Sequence, residues 1–281
     1  MQLRIVQSKQ NSRLKQLRRA LAQPLREAGE DGRFLVGIEG PNLLGEALRA
    51  GRDLECVFVA REAERLLDDL PLSPNTEVLL VPRKLLDSAL STEAPQPIAA
   101  LVEPRIWAWE DLLGGRRTAA PLILVLAGIQ DPGNLGTMLR SAEAFGATGV
   151  VSLPGTVNAW NPKAVRASAG SIFRVPLMAA SAEECFLRLH EDDVTLWATA
   201  THHAKEANRA DLTRPVALII GNEGNGVAAE IAAQADGAIT IPCPGPVESL
   251  NAAVAAGVLL YEAARQRAVS PGFHRAARSL R

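Results

Sequence analysis

The stretch Ile241-Pro-Cys-Pro-Gly-Pro-Val-Glu-Ser-Leu-Asn251, running into the helix-like 252–266, limits what this chain can fold into more than any other. An apolar strand ends at Ile241, a loop dense in Pro and Gly follows, and a helix then opens. Leu250, Ala253, Val254, Gly257, Val258 and Tyr261 recur at the helical period and predict one apolar face. Ser249 stands where an N-cap is expected, its hydroxyl placed to accept an orphan amide of the first turn. Three prolines remove backbone donors and stiffen the entry, so the loop is largely shaped before anything binds. Such a loop suits a ligand, and the same pattern equally describes an ordinary strand-to-helix turn.

The rest of the chain reads as two α/β domains, as 281 residues lead one to expect. Strand-like runs at 34–38, 54–60, 77–81 and 98–102 alternate with helical patterns at 41–50, 62–70 and 83–89, which describes a small first domain. Its leading segment, 1–33, concentrates Arg4, Lys9, Arg13, Lys15, Arg18, Arg19, Arg26 and Arg33 around an apolar stripe of Leu14, Leu17, Leu21 and Leu25. Alone, that run reads more readily as a solvated helix face than as a phosphate-contacting surface. We expect a first domain over 1–105, a linker over 106–120, a second domain over 121–268 and a tail over 269–281. The second domain opens on Leu122–Ala127, apolar throughout as in a strand buried on both faces. Further strands are expected at 149–153, 173–177, 195–200, 216–220 and 238–241, giving a mainly parallel sheet. Asn161-Pro162 starts a helix that carries Lys163, Arg166 and Ser168 and ends at Gly170.

Composition narrows the function classes. The formal net charge of -1 excludes wholesale electrostatic binding of nucleic acid while leaving room for a local basic patch. No apolar run approaches the roughly 18 residues of a membrane span, and the start lacks a signal-peptide segment. Cys56, Cys185 and Cys243 are too scattered for a zinc site and odd in number for a disulfide framework, which fits a reducing cytoplasm. His202-His203 reads as a loop pair without ligand spacing, so no metal site is expected.

Two further segments hold candidate chemistry. In Asn134-Leu-Gly-Thr-Met-Leu-Arg140, side chains lean toward the helix N-terminus, so Arg140 reaches back over Gly136, and we expect it to converge with Asn134. Gly221-Asn-Glu-Gly-Asn-Gly226 follows an apolar strand, where open α/β sheets keep their ligand crevice. Its spacing is neither a dinucleotide fingerprint nor a Walker loop. Glu223 is its only acid, placed to orient a polar ligand or pair with an arginine.

In order, Asn134-x-Gly136-x-x-x-Arg140, the Gly221–Gly226 turn and Ile241-Pro-x-x-Gly-x-x-x-Ser-Leu-Asn251 resemble the three motifs of the SpoU/TrmH family. These are S-adenosylmethionine-dependent RNA ribose 2′-O-methyltransferases of the SPOUT superfamily. The resemblance spans about residues 121–268, and Lys163, Arg166, Ser168 and Gly170 echo a further family stretch. The first domain resembles the family's ribosomal-protein-like RNA-binding domain less distinctively. Pattern alone gives an unknotted sheet; the resemblance instead implies an α/β fold whose C-terminal SPOUT methyltransferase domain is tied into a trefoil knot. It implies a donor site at Thr199, Ala200, Gly221, Ile241 and Leu250, with catalysis by Arg140, Asn134, Glu223, Ser249 and Asn251. RNA, ribosomal in preference to transfer, would meet Arg13, Lys15, Arg18, Arg19, Lys163 and Arg166, and the knotted domain would form a homodimer. The rivals are a non-catalytic RNA-binding protein of the same fold and a nucleotide-dependent oxidoreductase, the latter disfavoured by its glycine spacing.

Overall fold

In a computed structural model of the chain, residues 2–22, 34–90, 92–114, 120–246 and 249–269 are described. The parts of the basic segment at 23–33, of the linker at 115–119 and of the tail at 270–281 lie outside those residues. In chain order the elements are β1 (Gln2–Ile5), α1 (Ser12–Ala22), β2 (Val36–Glu39), α2 (Pro41–Arg49), β3 (Leu54–Ala60), β4 (Glu77–Val81), α3 (Arg83–Asp87) and β5 (Ile98–Val102). There follow α4 (Trp109–Leu112), β6 (Leu122–Ala127), α5 (Pro132–Ala144), β7 (Gly149–Ser152), α6 (Pro162–Ala167), β8 (Leu177–Ala179) and α7 (Ala182–Glu191). The chain continues with β9 (Thr195–Thr199), β10 (Lys205–Glu206), β11 (Val216–Gly221), α8 (Ala229–Ala232), β12 (Gly237–Thr240) and α9 (Ala252–Val269). These group into two compact units: the described residues up to Arg105 with Asn158–Arg174, and those of 106–157 with Val175 onward.

The first unit is built on a five-stranded sheet in the order β1-β4-β3-β5-β2. Strands β1, β4 and β3 run parallel, while β5 pairs antiparallel with both β3 and β2. On one face Leu14, Leu17 and Leu21 of α1 pack with Phe58, Leu79 and Leu101, so this part of the leucine stripe is a core face, while Leu25 lies outside the described residues. Leu43, Leu44 and Ala47 of α2 are buried against the sheet. The helix expected at 62–70 is instead a kinked 3₁₀ stretch, Arg61–Leu67, that buries no residue and so lacks a packing face to regularise it. Strand β1 went unread because four residues at a sheet edge carry too little pattern. The segment Asn158–Arg174 joins this unit through Arg174, which ion-pairs with Glu46 of α2. Gly170 sits there at φ 90°, where a Cβ would lie 2.5 Å from that of Glu46.

The second unit holds a seven-stranded sheet in the order β10-β12-β9-β11-β6-β7-β8, every pair parallel. Strands β6 and β11 lie at its centre, buried along their whole length, which is why both read as unbroken apolar runs. The strand expected at 173–177 begins only at Leu177, beyond Pro176, since proline cannot donate to the ladder. A 3₁₀ turn, Ser171–Phe173, precedes it. Within the stretch read as a linker, α4 sets Trp109 and Leu112 into the core of this unit.

Helix α9 departs most from expectation. Its buried side is Ala252, Ala253, Ala256, Leu259, Leu260 and Ala263, whereas Val254, Val258 and Tyr261 are 52%, 38% and 54% exposed. Through Tyr261 this helix is apolar all round, and such a run does not reveal its core face through periodicity. At its last turn Arg267 is buried, and its guanidinium donates to four carbonyls: Leu212 O at 2.8 Å, Ala120 O at 2.6 Å, Pro121 O at 2.9 Å and Arg214 O at 2.7 Å. Burial lowers its pKa to about 10, so it remains charged at neutrality. Replacing it strands those carbonyls away from water. Arg267→Ala is therefore expected to lower stability by about 3 kcal/mol or more, read as a shifted urea midpoint; a loss under about 1 kcal/mol contradicts this anchoring role.

Candidate active site

Because the seven strands are parallel, the C-terminal ends of β6, β9, β11 and β12 share one edge of the sheet. The loops leaving that edge are 128–131, 200–204, 222–226 and 241–251, and crevices of open α/β sheets form at such an edge. The loop after β11 is the tightest. Asn222 and Gly226 exchange backbone hydrogen bonds, each 2.9 Å, and a Cβ on Gly221 would fall 2.0 Å from the Gly226 carbonyl carbon. Only glycine fits there. Asn222 organises the turn: its Oδ1 accepts from the amides of Gly224 and Asn225, and its Nδ2 donates to Gly128 O at 2.9 Å.

Glu223 projects from that turn to the start of α5. Its carboxylate accepts from Gln130 N and Asp131 N, both at 3.1 Å, and from Asn134 Nδ2 at 2.9 Å. Partial burial works against the charge, but the Asn134 side chain and the two amides outweigh it and hold the carboxyl below its ordinary pKa. A carboxylate also suits the N-terminal end of a helix of this length. Asn134 passes the connection on, its Oδ1 accepting from Asn251 Nδ2 at 3.0 Å. Asn251 Oδ1 in turn accepts from Ala253 N at 2.9 Å and Val254 N at 3.2 Å. Asn251, not Ser249, is thus the N-cap of α9, and the helix starts at Ala252. Asp131 caps α5 in the same way, accepting from Gly133 N at 2.7 Å.

The run Asn251–Asn134–Glu223 therefore joins three of the segments singled out in the sequence. Arg140 lies six residues beyond Asn134, about 9 Å along the helix, exposed and without a hydrogen-bond partner among the described residues. Ser249 is exposed, while Ile241 and Leu250 are half-buried. Thr199 Oγ1 donates to Ile219 O at 3.0 Å and Ala200 N to Ile239 O at 3.0 Å, which fixes the end of β9. Cys243 is half-buried, whereas Cys185 is buried with its thiol pushed up to about 12. In the first unit Arg13 is engaged by Glu77 at 2.9 Å and Glu55 at 3.2 Å. Lys15, Arg18 and Arg19 of α1 are exposed, as are Lys163 and Arg166 of α6. Sequence reasoning passed over Asn222, Gln130 and Asp131. Asn in a turn and Asp before Pro at a helix start were the available signals.

Residues 121–261 match the SpoU rRNA Methylase family, and residues 11–100 match the MRM3-like substrate binding domain. The chain is similar to the 23S rRNA (guanosine(2553)-2′-O)-methyltransferase RlmP of Bacillus subtilis, 34% identical over 80% of this chain and 86% of the relative. It is also similar to the 23S rRNA (guanosine-2′-O-)-methyltransferase RlmB of Xanthomonas campestris, 37% identical over 68% of this chain and 78% of the relative. Among solved structures it is similar to the SpoU methyltransferase AviRb from Streptomyces viridochromogenes in complex with AdoMet. That likeness has a TM-score of 0.79 at 28% identity and covers 92% of this chain and 99% of the other.

The depressed pKa of Glu223 has a pH consequence of definite sign. On acidification the unfolded chain takes up the proton first, so the stabilisation is full above the unfolded value, about 4.3. It is lost as the pH falls through the folded value. Denaturation of wild type and Glu223→Gln should therefore show a stability gap that is constant at neutral pH and shrinks below about pH 4.3. A gap indifferent to pH across that range contradicts the hydrogen-bonded carboxylate.

Proposed function

The chain belongs to the SpoU/TrmH family of the SPOUT superfamily, and from that premise we infer that it transfers a methyl group from S-adenosylmethionine to a ribose 2′-hydroxyl of ribosomal RNA. One observation carries the reading to this chain's own residues: the hydrogen-bonded run Asn251–Asn134–Glu223, in which all three motif segments take part.

We assign the donor to the edge where β9, β11 and β12 end, with Thr199, Ala200, Gly221, Ile241 and Leu250 around it. Its fit is supported by the loop after β12. Cys243 N, Gly245 N and the carbonyls of 242–246 make no backbone hydrogen bond to another described residue, so they are available to a ligand with polar edges. The prolines at 242, 244 and 246 hold these groups in place in advance. When bound, S-adenosylmethionine supplies an electrophilic methyl on a sulfonium centre.

The protein's task is then positioning and charge stabilisation. Asn134 is fixed by Glu223 on one side and Asn251 on the other, which leaves little rotational freedom at the start of α5. In our assignment Glu223, Asn251 and Ser249 keep the loops in register around the ribose. The exposed, unpaired guanidinium of Arg140 suits the RNA phosphate and the charge that grows on the 2′-oxygen as it loses its proton.

The trefoil knot is part of this reading. β12 lies on the far side of β9 from β6, yet α9 packs against α5, which follows β6. Helix α9 therefore stands back toward the centre of the sheet, against β11. We place RNA binding in residues 1–105 and methyl transfer in 121–268. Lys15, Arg18, Arg19, Lys163 and Arg166 contact RNA, while Arg13 serves chiefly to hold α1 through its carboxylate partners. The exposed Val254, Val258 and Tyr261, with Phe145 edge-on to Tyr261 at 5.8 Å, form the homodimer face. No helix among the described residues is long and apolar enough to cross a membrane, and we place the enzyme in the cytoplasm with its RNA.

Labelled methyl incorporation into ribosomal RNA from cells lacking the protein tests this assignment. Arg140→Ala should lose about 100-fold or more in rate while binding the donor normally by calorimetry; near-normal methylation by that variant refutes the role of Arg140. Val258→Glu should convert a dimer to a monomer in sedimentation. An unchanged mass would remove α9 from the interface.

A further inference from the structure

Beyond the residues placed at the reacting centre, the loop that presents Gln130 and Asp131 to Glu223 is held by a second set of contacts. Thr156 Oγ1 accepts from Gly128 N at 3.0 Å and donates to Leu126 O at 2.9 Å. Val157 N donates to Ile129 O at 2.8 Å, and Gln130 Nε2 donates to Gly155 O. Gly128 stands at φ 79°, so the chain turns sharply as it leaves β6 and falls out of the ladder. The Thr156 hydroxyl satisfies one backbone group on each side of that turn. It thereby sets where Gln130 N and Asp131 N point, and both donate to Glu223.

We propose that Thr156 is a positioning residue for methyl transfer: its hydroxyl fixes the loop that presents Gln130 N and Asp131 N to Glu223 and, through Glu223, orients Asn134. Thr156 itself touches neither the donor nor the RNA. The proposal rests on the RNA methyltransferase reading given above.

Thr156→Val keeps the side-chain shape and removes the hydroxyl, and Thr156→Ser restores it. With ribosomal RNA from cells lacking the protein, Thr156→Val should lower kcat about tenfold or more. Its KM for RNA and its calorimetric Kd for S-adenosylmethionine should stay within about threefold of wild type. Thr156→Ser should recover kcat to within about threefold. Glu223→Gln should lower kcat in the wild-type background and add little to Thr156→Val, the non-additivity expected of two residues acting through one set of contacts. Wild-type kcat in Thr156→Val, failure of serine to rescue, or additive losses in the double variant each overturn the proposal. If Thr156→Val does not fold by circular dichroism, Gln130→Met cuts the neighbouring contact to Gly155 and is judged by the same kcat, KM and additivity criteria. Absence of methylation by the wild-type protein overturns the enzymatic reading itself, which separates the two failures.

Discussion

The second unit depends on one carboxylate that collects donors from elsewhere in the chain. Glu223 leaves the turn after β11 and is met by two backbone amides and one side-chain amide at the start of α5. Those backbone amides belong to residues that lead into a helix, where N–H groups have no intrahelical partner. A carboxylate accepts several such bonds at once and gains from the positive end of the helix. Asn134 then uses both ends of its amide, one toward Glu223 and one toward Asn251, so its orientation follows from the network itself. Much of the arrangement is open to solvent, and for that reason its value lies in fixing geometry more than in adding stability.

That geometry relies on anchors some distance from the site. Helix α9 is held at its first turn by Asn251 and at its last by Arg267, whose guanidinium faces carbonyls from the strand entry at 120–121 and the loop at 212–214. With both ends fixed, the loop before the helix can be irregular and proline-rich while its termini stay in register. Gly221 makes the complementary contribution, since its missing side chain lets the turn close on itself and aim Glu223.

The central strands and the start of α6 were legible in the sequence because local chemistry determines them. Leu122–Ala127 is apolar at every position, and Asn161 caps a helix whose first turn holds Pro162. The failures are equally physical. Helix α9 is apolar on all sides through Tyr261, so spacing alone could not tell the buried alanines from the exposed Val254 and Val258. Ser249 and Asn251 are both competent caps two residues apart, and it is Asn251 that accepts from Ala253 N and Val254 N while donating to Asn134. Arg267 reads as a surface residue because its acceptors are backbone carbonyls, which leave no trace in side-chain identity. Assignment of Asn158–Arg174 to the first unit rests on a long-range ion pair and a glycine packed on Glu46, contacts that no local pattern encodes. For the candidate site, the motifs were visible but the direction of each side chain was not.

The parallel sheet has a consequence for biosynthesis. Val216 of β11 pairs with Leu122 of β6, so β6, whose first neighbour β7 follows soon after it, waits for about 90 residues of further synthesis before its second neighbour exists. During that interval a segment apolar on both faces emerges from the ribosome with one side uncovered, the kind of surface that invites aggregation or chaperone capture. Maturation of this protein should therefore be limited by late, non-local strand docking, with the nascent chain most vulnerable before β11 is complete.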